Sequence, residues 1–370
     1  MERFNYWMPT KIHFGSDVLD LLPQYVGVGD VLIITGRVLS KSETMKNIIK
    51  MLPNKITVFD HVDPNPTFDN IKEAIMMARN QNTKTVIGFG GGSNMDAAKI
   101  VACFANNNLN FEQVLEEGSF NREGVNLILI PTTSGTGSEV TNVGVYTDTK
   151  TNDKRPIRID AFWADEAFID PKLTFTMPKN VTANTGMDAF CHAIESYWNK
   201  NSNPVSDELA KQSLKLIFEN LEEAYNHPLD EKARTKMILA SLLAGLAFSQ
   251  TKTTAAHVFS YPITAKYHVP HGQGCAVSIV ALIRHSKEKE KAKMLELCEY
   301  LGFHSIDDLA TMTEKLIKSV GMTSHLSEIG ASEEDITELT NISLSYQEQL
   351  ELTPVTLNEQ TIKDLLLEIM

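Results

Sequence analysis

The stretch TVIGFGGGSNMDAAK, residues 85–99, decides the fold of this chain. Its first five residues form an apolar, β-rich run typical of a buried strand, and helical spacing begins near Asn94. The glycines between them let the backbone turn tightly and approach a ligand without an intervening side chain. A helix N-terminus offers free N–H groups and a partial positive charge that suit a pyrophosphate. The stretch therefore predicts a strand, a phosphate-binding turn and a helix.

One alternative stays open for this turn. Its register is not G-x-G-x-x-G, because Ser93 stands where the last glycine would be. Ser93 with Asp96 also fits a plain helix N-cap with a short acidic partner.

Further strand-like runs alternate with helical stretches over the first half of the chain. They are residues 31–35, 56–59, 125–130 and 167–170. This alternation predicts a parallel sheet with helices on both faces. After Pro178 the pattern becomes helical, near residues 182–199, 204–225, 230–260, 287–301, 307–320, 333–350 and 359–369. We predict an α/β domain at residues 1–178 and an all-α domain at residues 179–370.

Length and composition agree with a two-domain globular protein. The chain has 370 residues and a formal net charge of −13, which argues against nucleic acid or an anionic membrane as a partner. It contains no apolar run of the roughly 18–20 residues that span a bilayer and begins without a signal-peptide pattern, so we expect a cytoplasmic protein. Its four cysteines form no C-x-x-C motif and are expected to stay reduced, with Cys191 a packing residue.

A second loop candidate is PTTSGTGSE, residues 131–139, which follows the strand at 125–130. Open α/β sheets bind ligands at the carboxyl ends of their strands. The alternative is a solvated turn, since Ser, Thr and Gly are common there. Five hydroxyl side chains in the seven residues from Thr132 to Ser138 favour a binding loop.

Two residue pairs indicate a metal site. Asp188 and His192 are four residues apart in GMDAFCHAIES, so on a helix both face one way. His257 and His271 lie in AAHVFSYPITAKYHVPHG, a segment that we expect Pro262 and Pro270 to break. One carboxylate and three imidazoles suit iron(II) or zinc. Either pair alone also arises by chance, and a lone histidine is more often a hydrogen-bonded structural residue.

Taken together, these segments resemble the iron-containing (group III) alcohol dehydrogenase family over nearly the whole chain. The resemblance implies a dinucleotide-binding N-terminal domain, a helical C-terminal domain, a catalytic metal in the cleft between them, and a homodimer acting on a small alcohol or aldehyde. It implies Fe²⁺ or Zn²⁺ held by Asp188, His192, His257 and His271. It implies pyrophosphate contacts from Gly91, Gly92 and Ser93, and nicotinamide-side contacts from Thr132, Thr133, Thr136 and Lys154.

The sequence departs from the family pattern at a position that concerns proton transfer. Many members carry a further histidine four residues after the third ligand, where this chain has Tyr261. A phenol passes a proton but is a weak base at neutral pH. Lys252-Thr253-Thr254 and residues 260–264 resemble the branch that reduces phosphonoacetaldehyde. Lys252 is then the expected countercharge for a phosphonate, with Arg155 and Arg158 as more distant candidates; the alternative is a solvated lysine.

A second departure concerns the choice of cofactor. NAD-selective members often carry an acidic residue after the first strand, where this chain has Gly36 and Arg37. No carboxylate there repels a 2′-phosphate, and Arg37 is able to pair with one. NAD(P)H is therefore expected as cofactor with a preference for NADP(H), unless Arg37 merely faces solvent.

Two other functions are compatible with parts of this pattern. Sugar-phosphate cyclases resembling dehydroquinate synthase share the architecture and bind NAD and a metal, but they usually need more basic residues around the substrate phosphate. A non-catalytic binding protein is the second alternative, and the complete ligand set argues against it.

Overall fold

The computed structural model describes residues 3–63, 66–106, 122, 124–147 and 154–370. Its strands are Lys11–Phe14 (β1), Val31–Ile34 (β2), Ile56–Phe59 (β3), Thr85–Gly90 (β4), Asn126–Pro131 (β5), Val143–Thr147 (β6), Lys154–Arg158 (β7) and Glu166–Ile169 (β8). Within these residues, six strands form a sheet in the order β1-β8-β5-β4-β2-β3, while β6 and β7 form a separate antiparallel pair. All pairs in the larger sheet are parallel, which confirms the predicted parallel sheet.

The helices agree with the predicted change from an alternating α/β pattern to a helical one after Pro178. They are Glu43–Met51 (α1), Phe68–Asn80 (α2), Gly92–Phe104 (α3), Lys179–Trp198 (α4), Pro204–Asn226 (α5), Glu231–Thr251 (α6), Ala255–Tyr267 (α7), His271–His285 (α8), Lys291–Leu301 (α9), Ile306–Ser319 (α10), Ile336–Leu344 (α11), Gln347–Glu351 (α12) and Glu359–Glu368 (α13). Within the residues that the structure describes, each helix is too short or too polar to cross a bilayer.

The chain divides into two compact units. One comprises Met8–Thr133 and Gly137–Phe175, and contains the sheet with α1 to α3. The other comprises Met1–Trp7, Ser134–Thr136 and Thr176–Met370, and contains α4 to α13. Because the two units interleave along the chain, a single boundary at Pro178 stays a prediction.

The structure corrects two helical expectations. The predicted helix at 230–260 is interrupted after Thr251, where Lys252 adopts a left-handed backbone with φ of 71°. Pro262 does not break its segment but lies inside α7. A proline within a helix removes one hydrogen bond and costs about 3 kcal/mol. The complete burial of Val258 and Ile263 beside it offsets that cost.

Candidate functional site

The glycine turn connects β4 to α3 and lies beside the carboxyl end of the neighbouring strand β5. Gly90, the last residue of β4, has a φ of +146°, and a Cβ added there would lie 1.9 Å from Asn94 Nδ2. Pro131 pairs with Gly90 across the sheet, and the amide of Thr132 donates a 2.9 Å hydrogen bond to the Gly90 carbonyl. Both predicted loops therefore leave the sheet side by side.

The start of α3 corrects one of the alternatives for this turn. Gly91 is the N-cap and α3 begins at Gly92, so Ser93 lies within the first turn and is not the cap. The backbone N–H groups of a helix start point away from the helix and attract an anion. Because the cap is a glycine, no capping side chain covers them.

The other predicted nucleotide contacts lie in several places. A Cβ added to Gly91 would lie 3.5 Å from the Thr133 side chain. A Cβ added to Gly36, two residues after β2, would lie 3.9 Å from Asn94 Oδ1. Arg37 is exposed. Thr136 belongs to the other compact unit. The backbone of Lys154 begins β7, but its side chain lies outside the described part of the chain.

A carboxylate near Arg37 was not anticipated. The Ser40 hydroxyl is 3.0 Å from the Arg37 carbonyl oxygen and 2.8 Å from Asp60 Oδ2, and Asp60 directly follows β3. The residues directly after β2 carry no carboxylate, as expected, but Asp60 reaches Ser40 in the same turn, and the preference for NADP(H) stays a prediction. Sequence reasoning missed Asp60 because it examined only the residues after the first strand, and the next strand contributes the carboxylate.

The structure also contains a buried lysine below the turn. Lys99, on α3, is fully buried, and its ammonium donates to Ser138 Oγ at 2.8 Å, Thr141 Oγ1 at 3.2 Å and the Val143 carbonyl at 2.6 Å. Asp96 Oδ1 lies 3.7 Å from the same nitrogen. Burial lowers the pKa of Lys99 to about 8, against the opposing effect of Asp96. These bonds tie the residues after the threonine-rich loop to α3.

A second buried cluster lies in the helical unit. Asp188 and His192 lie one turn apart on α4, His257 lies in the first turn of α7, and His271 is the first residue of α8. Asp188 Oδ1 is 3.7 Å from His257 Nε2 and 3.6 Å from His271 Nε2. Three helices thus bring Asp188, His257 and His271, three of the four predicted ligands, close together.

A glycine allows one of these helices to approach. A Cβ added to Gly272 would lie 1.9 Å from the carbonyl oxygen of Asn184 on α4. The start of α8 therefore packs directly on the α4 backbone, one turn before Asp188. This contact sets the position of His271 relative to Asp188.

His192 lies beside this cluster. Its ring stacks on His257 with centroids 4.5 Å apart, and on Phe248 at 4.2 Å with the planes 12° apart. Four residues, Asp188, His257, His271 and Cys275, have one ligand atom each within 4.8 Å of one another. His192 is not among them, and Cys275 was not anticipated as a neighbour.

Three polar atoms in and beside the cluster lack hydrogen-bond partners among the described residues. Asp188 Oδ1, His192 Nδ1 and His257 Nε2 are buried without a hydrogen bond to any described residue. Leaving a buried polar group unpaired costs about 1–3 kcal/mol, and three such atoms in one place are unusual in a native fold. A divalent cation would satisfy Asp188 Oδ1 and His257 Nε2, which belong to the converging set, so the residues present fit a metal ion.

A carboxylate that sequence reasoning missed orients the middle histidine. Glu195 Oε2 bonds His257 Nδ1, while its Oε1 accepts from Thr254 Oγ1 at 2.6 Å and the Ala256 amide at 2.8 Å. This arrangement turns His257 Nε2 towards Asp188. A metal-binding histidine commonly donates its other nitrogen to a carboxylate in this way. Glu195 lies seven residues after Asp188 on the same face of α4, and that spacing was the available signal.

Burial and neighbouring charges shift the pKa values in opposite directions across the cluster. Burial lowers the pKa of His192 to about 4, outweighing the attraction of Asp188. Burial also opposes the charged form of His257, but Cys275 and Glu195 raise its pKa well above the ordinary value. For Cys275, burial raises the pKa of the thiol, yet His257 and His271 bring it down to about 7. The pKa of each of these groups therefore depends on the charges of its neighbours in the cluster.

The two predicted catalytic residues have partners. The Tyr261 ring lies 5.0 Å from the ring of Tyr346, and burial raises the pKa of Tyr261. Lys252, the C-cap residue of α6, forms an ion pair with Glu348, and its side chain is 40% exposed. An ammonium already paired with a carboxylate is partly neutralised as a countercharge.

Comparison with protein families identifies the class. The family model for "Iron-containing alcohol dehydrogenase" matches residues 9–171. The model for "Fe-containing alcohol dehydrogenase family, C-terminal" matches residues 182–370. The chain belongs to the iron-containing alcohol dehydrogenase family. It is therefore an enzyme of the alcohol and aldehyde dehydrogenase class, and the sugar-phosphate cyclase alternative is not favoured.

Individual members of this family are similar along most of the chain. Long-chain-alcohol dehydrogenase 1 of Geobacillus thermodenitrificans is 32% identical over 96% of this chain and 94% of its own length. Sulfoacetaldehyde reductase of Bilophila wadsworthia is 32% identical over 81% of this chain and 80% of its own. The crystal structure of sulfoacetaldehyde reductase from Bifidobacterium kashiwanohense in complex with NAD⁺ superposes with a TM-score of 0.94 at 31% identity, covering 100% of this chain and 99% of that one.

Proposed function

We propose that this protein interconverts a small alcohol and its aldehyde with a nicotinamide cofactor, using a divalent metal held by Asp188, His192, His257 and His271. The observation that carries the proposal is the convergence of Asp188 Oδ1, His257 Nε2 and His271 Nε2, of which the first two have no hydrogen bond to a described residue. When bound, such an ion supplies Lewis acidity that favours the alkoxide form of an alcohol and polarises a carbonyl. A bound nicotinamide cofactor would supply the hydride acceptor or donor.

The protein's own residues fix the geometry for this chemistry. With an ion bound, Glu195 would hold His257 in one neutral tautomer, with its proton on Nδ1 and the lone pair of Nε2 turned towards Asp188. Phe248 covers one face of His192 and keeps water from that side. Because the pKa of Tyr261 is raised by burial, its phenol keeps its proton at neutral pH. We assign Tyr261 the role of a hydrogen-bond donor to the substrate oxygen rather than that of a base.

For the nucleotide we propose that the backbone at Gly91, Gly92 and Ser93 receives the pyrophosphate. The glycine cap and the open start of α3 support this assignment. Thr132 and Thr133, which leave the adjacent strand, are proposed to contact the nicotinamide side, with Thr136 and Lys154 assigned by the family resemblance. A homodimer and a cytoplasmic location also stay proposals.

The test is turnover before and after metal removal. We expect NADH- or NADPH-dependent reduction of propanal by protein reconstituted with iron or zinc, and loss of that activity in chelator-treated protein. Full turnover by metal-free protein would contradict the proposal. So would formation of a cyclised product from a sugar phosphate with no net change in NADH.

The substrate that we propose is a short aldehyde with an anionic end group, phosphonoacetaldehyde in particular. Similarity to two sulfoacetaldehyde reductases supports an anionic aldehyde, and Lys252 is the proposed countercharge once it leaves Glu348. Lys252→Ala should then reduce kcat/KM for phosphonoacetaldehyde and leave that for propanal unchanged. Lys266→Ala, which removes another paired lysine, is the matched control. Equal losses on both aldehydes would count against the proposal.

For the cofactor we propose a preference for NADP(H) through Arg37. Its exposed guanidinium supports pairing with a 2′-phosphate, whereas Asp60 beside the same turn opposes it. Arg37→Ala should raise KM for NADPH and leave KM for NADH unchanged, with exposed Lys41→Ala as control. An Asp60→Ala variant that gains NADPH activity in an enzyme otherwise selective for NADH would reverse the assignment.

A further inference from the structure

We propose that Cys275 is a metal ligand, so that this centre holds its ion through a sulfur in addition to Asp188, His257 and His271, and favours zinc over iron. The inference rests on the proposed metal site and changes its donor set. It concerns a residue outside the four ligands that the sequence motifs indicate.

The position of Cys275 follows from α8. His271 is the first residue of this helix and Cys275 lies one turn later, so both side chains share one face. Cys275 is fully buried, and its Sγ lies 3.8 Å from His271 Nε2. The same nitrogen lies 3.6 Å from Asp188 Oδ1. The thiol therefore points at the coordinating edge of His271.

The spacing of the donor atoms matches that of ligands around one ion. With metal bonds of about 2.0–2.1 Å to nitrogen or oxygen and about 2.3 Å to sulfur, tetrahedral ligand atoms lie about 3.3–3.6 Å apart. The measured separations of 3.6 Å, 3.7 Å and 3.8 Å among these atoms are slightly longer. These three separations need to shorten by only a few tenths of an ångström to match, and the remaining pairs of the four atoms lie within 4.8 Å.

Independent support comes from the other side chains of the set. Asp188 and His257 are each only 4% exposed, and Asp188 Oδ1 and His257 Nε2 have no hydrogen bond to a described residue. Both atoms belong to the set of four within 4.8 Å that includes the Cys275 sulfur. Unsatisfied buried donors from two further helices thus face the thiol.

Two neighbouring residues sharpen the assignment. His192 is stacked between Phe248 and His257 and is not in the set of four, so Cys275 competes with it for the fourth ligand position. Cys191 precedes His192, is equally buried, and is also outside the set. The chain therefore provides one cysteine at the site and a matched cysteine next to it.

A sulfur ligand changes what the centre binds. On binding, the thiol releases its proton to solvent, and the thiolate adds a second negative charge beside that of Asp188. Soft thiolates favour zinc, whereas a site of imidazoles and a carboxylate also suits iron(II). The expected result is firmer retention of zinc than of iron by this protein.

Cobalt(II) provides a direct readout that does not depend on activity. Metal-free full-length protein is titrated with cobalt(II), and the absorption spectra of wild type, Cys275→Ser and Cys191→Ser are compared. We expect a near-ultraviolet sulfur-to-cobalt charge-transfer band in wild type and Cys191→Ser. Cys275→Ser should lose that band while keeping the weak visible bands of bound cobalt.

The outcomes separate this inference from the proposed function. If cobalt binds but the charge-transfer band is absent from wild type or survives in Cys275→Ser, sulfur ligation is wrong and the metal site stands. If wild type binds no cobalt, the metal site itself is wrong. Circular dichroism checks folding, and Cys275→Ala repeats the test should the serine variant not fold.

Discussion

The two buried charged clusters, one around Lys99 and one around Asp188, are satisfied in different ways. The Lys99 ammonium uses its three N–H groups on Ser138, Thr141 and Val143, which is its full donor capacity. In the Asp188 cluster a carboxylate oxygen and imidazole nitrogens face one another at 3.6 Å and 3.7 Å without hydrogen bonds. The first cluster is complete within the protein, whereas the second leaves Asp188 Oδ1 and His257 Nε2 without a hydrogen bond to a described residue.

The difference teaches how to separate structural from functional burial of charge. Lys99 and Asp188 are both buried, and both clusters contain residues with shifted pKa values. Perturbed pKa values alone therefore do not distinguish them. The distinguishing observation is whether each buried polar atom has a partner in the protein. A buried cluster whose polar atoms are all hydrogen-bonded within the protein indicates a structural role. A buried cluster with unpaired polar atoms indicates a ligand site.

The largest expected effect is on catalysis at the Asp188 cluster. Asp188→Asn should reduce kcat/KM by about 1,000-fold or more, since losing the ion removes several kcal/mol of charge stabilisation. The unfolding free energy of the metal-free variant, measured by urea titration, should change little. A large loss of stability in the metal-free protein would place Asp188 in the same class as Lys99 and remove the contrast.

The next effect is on stability at Lys99. Lys99→Met should lower the unfolding free energy by about 3–5 kcal/mol, because Asp96 loses its buried partner. Urea titration measures this loss, and exposed Lys46→Met is the control. An unchanged stability accompanied by lost turnover would instead mean that Lys99 serves catalysis.

A third effect concerns Glu139, which is 2% exposed in the Lys99 cluster. Burial raises its pKa from 4.5 to about 7, against its own backbone hydrogen bond and Lys99. A raised pKa in the folded state stabilises the fold below pH 4.5 and loses that contribution as pH rises through 7. Glu139→Gln should therefore gain up to about 3 kcal/mol on wild type between pH 5 and pH 8. The unfolding free energies of both proteins are measured by urea titration at pH 5 and pH 8. The same difference between variant and wild type at the two pH values would contradict this prediction.

The smallest expected effect is on the support of His257. Glu195→Gln should weaken metal affinity by about 10–100-fold, the usual result of removing a carboxylate behind a metal-binding histidine. Competition with a chelator measures the affinity. Glu223→Gln is the control, because Glu223 lies near His227 in an exposed pair. Similar affinities for both variants would show that Glu195 does not act through the metal site.

The sequence predicted what depends on local pattern. The strand at 85–89, the turn after it and the helix that follows are readable because apolar runs and glycines are neighbours along the chain. By contrast, α8 was missed. Its residues from Gly272 to Ile283 are all buried, so they have no polar face and show no helical periodicity.

Side-chain partners were less accessible to sequence reasoning. Cys275 becomes a neighbour of His271 only if residues 271–285 are a helix, and without α8 the four-residue spacing has no meaning. Asp60 follows a neighbouring strand and reaches Ser40, three residues after Arg37, only through the order of the sheet. Glu195 was present in the quoted motif, but its bond to His257 depends on how α4 and α7 pack.

The packing of Gly272 on the Asn184 carbonyl has a practical consequence for altering this enzyme. Any larger residue at position 272 would push the first turn of α8 outwards and carry His271 and Cys275 with it. Random libraries should keep this position constant, because a single methyl group there would displace two residues of the candidate metal site. Remodelling is better directed at side chains that border the centre without setting the spacing of its helices.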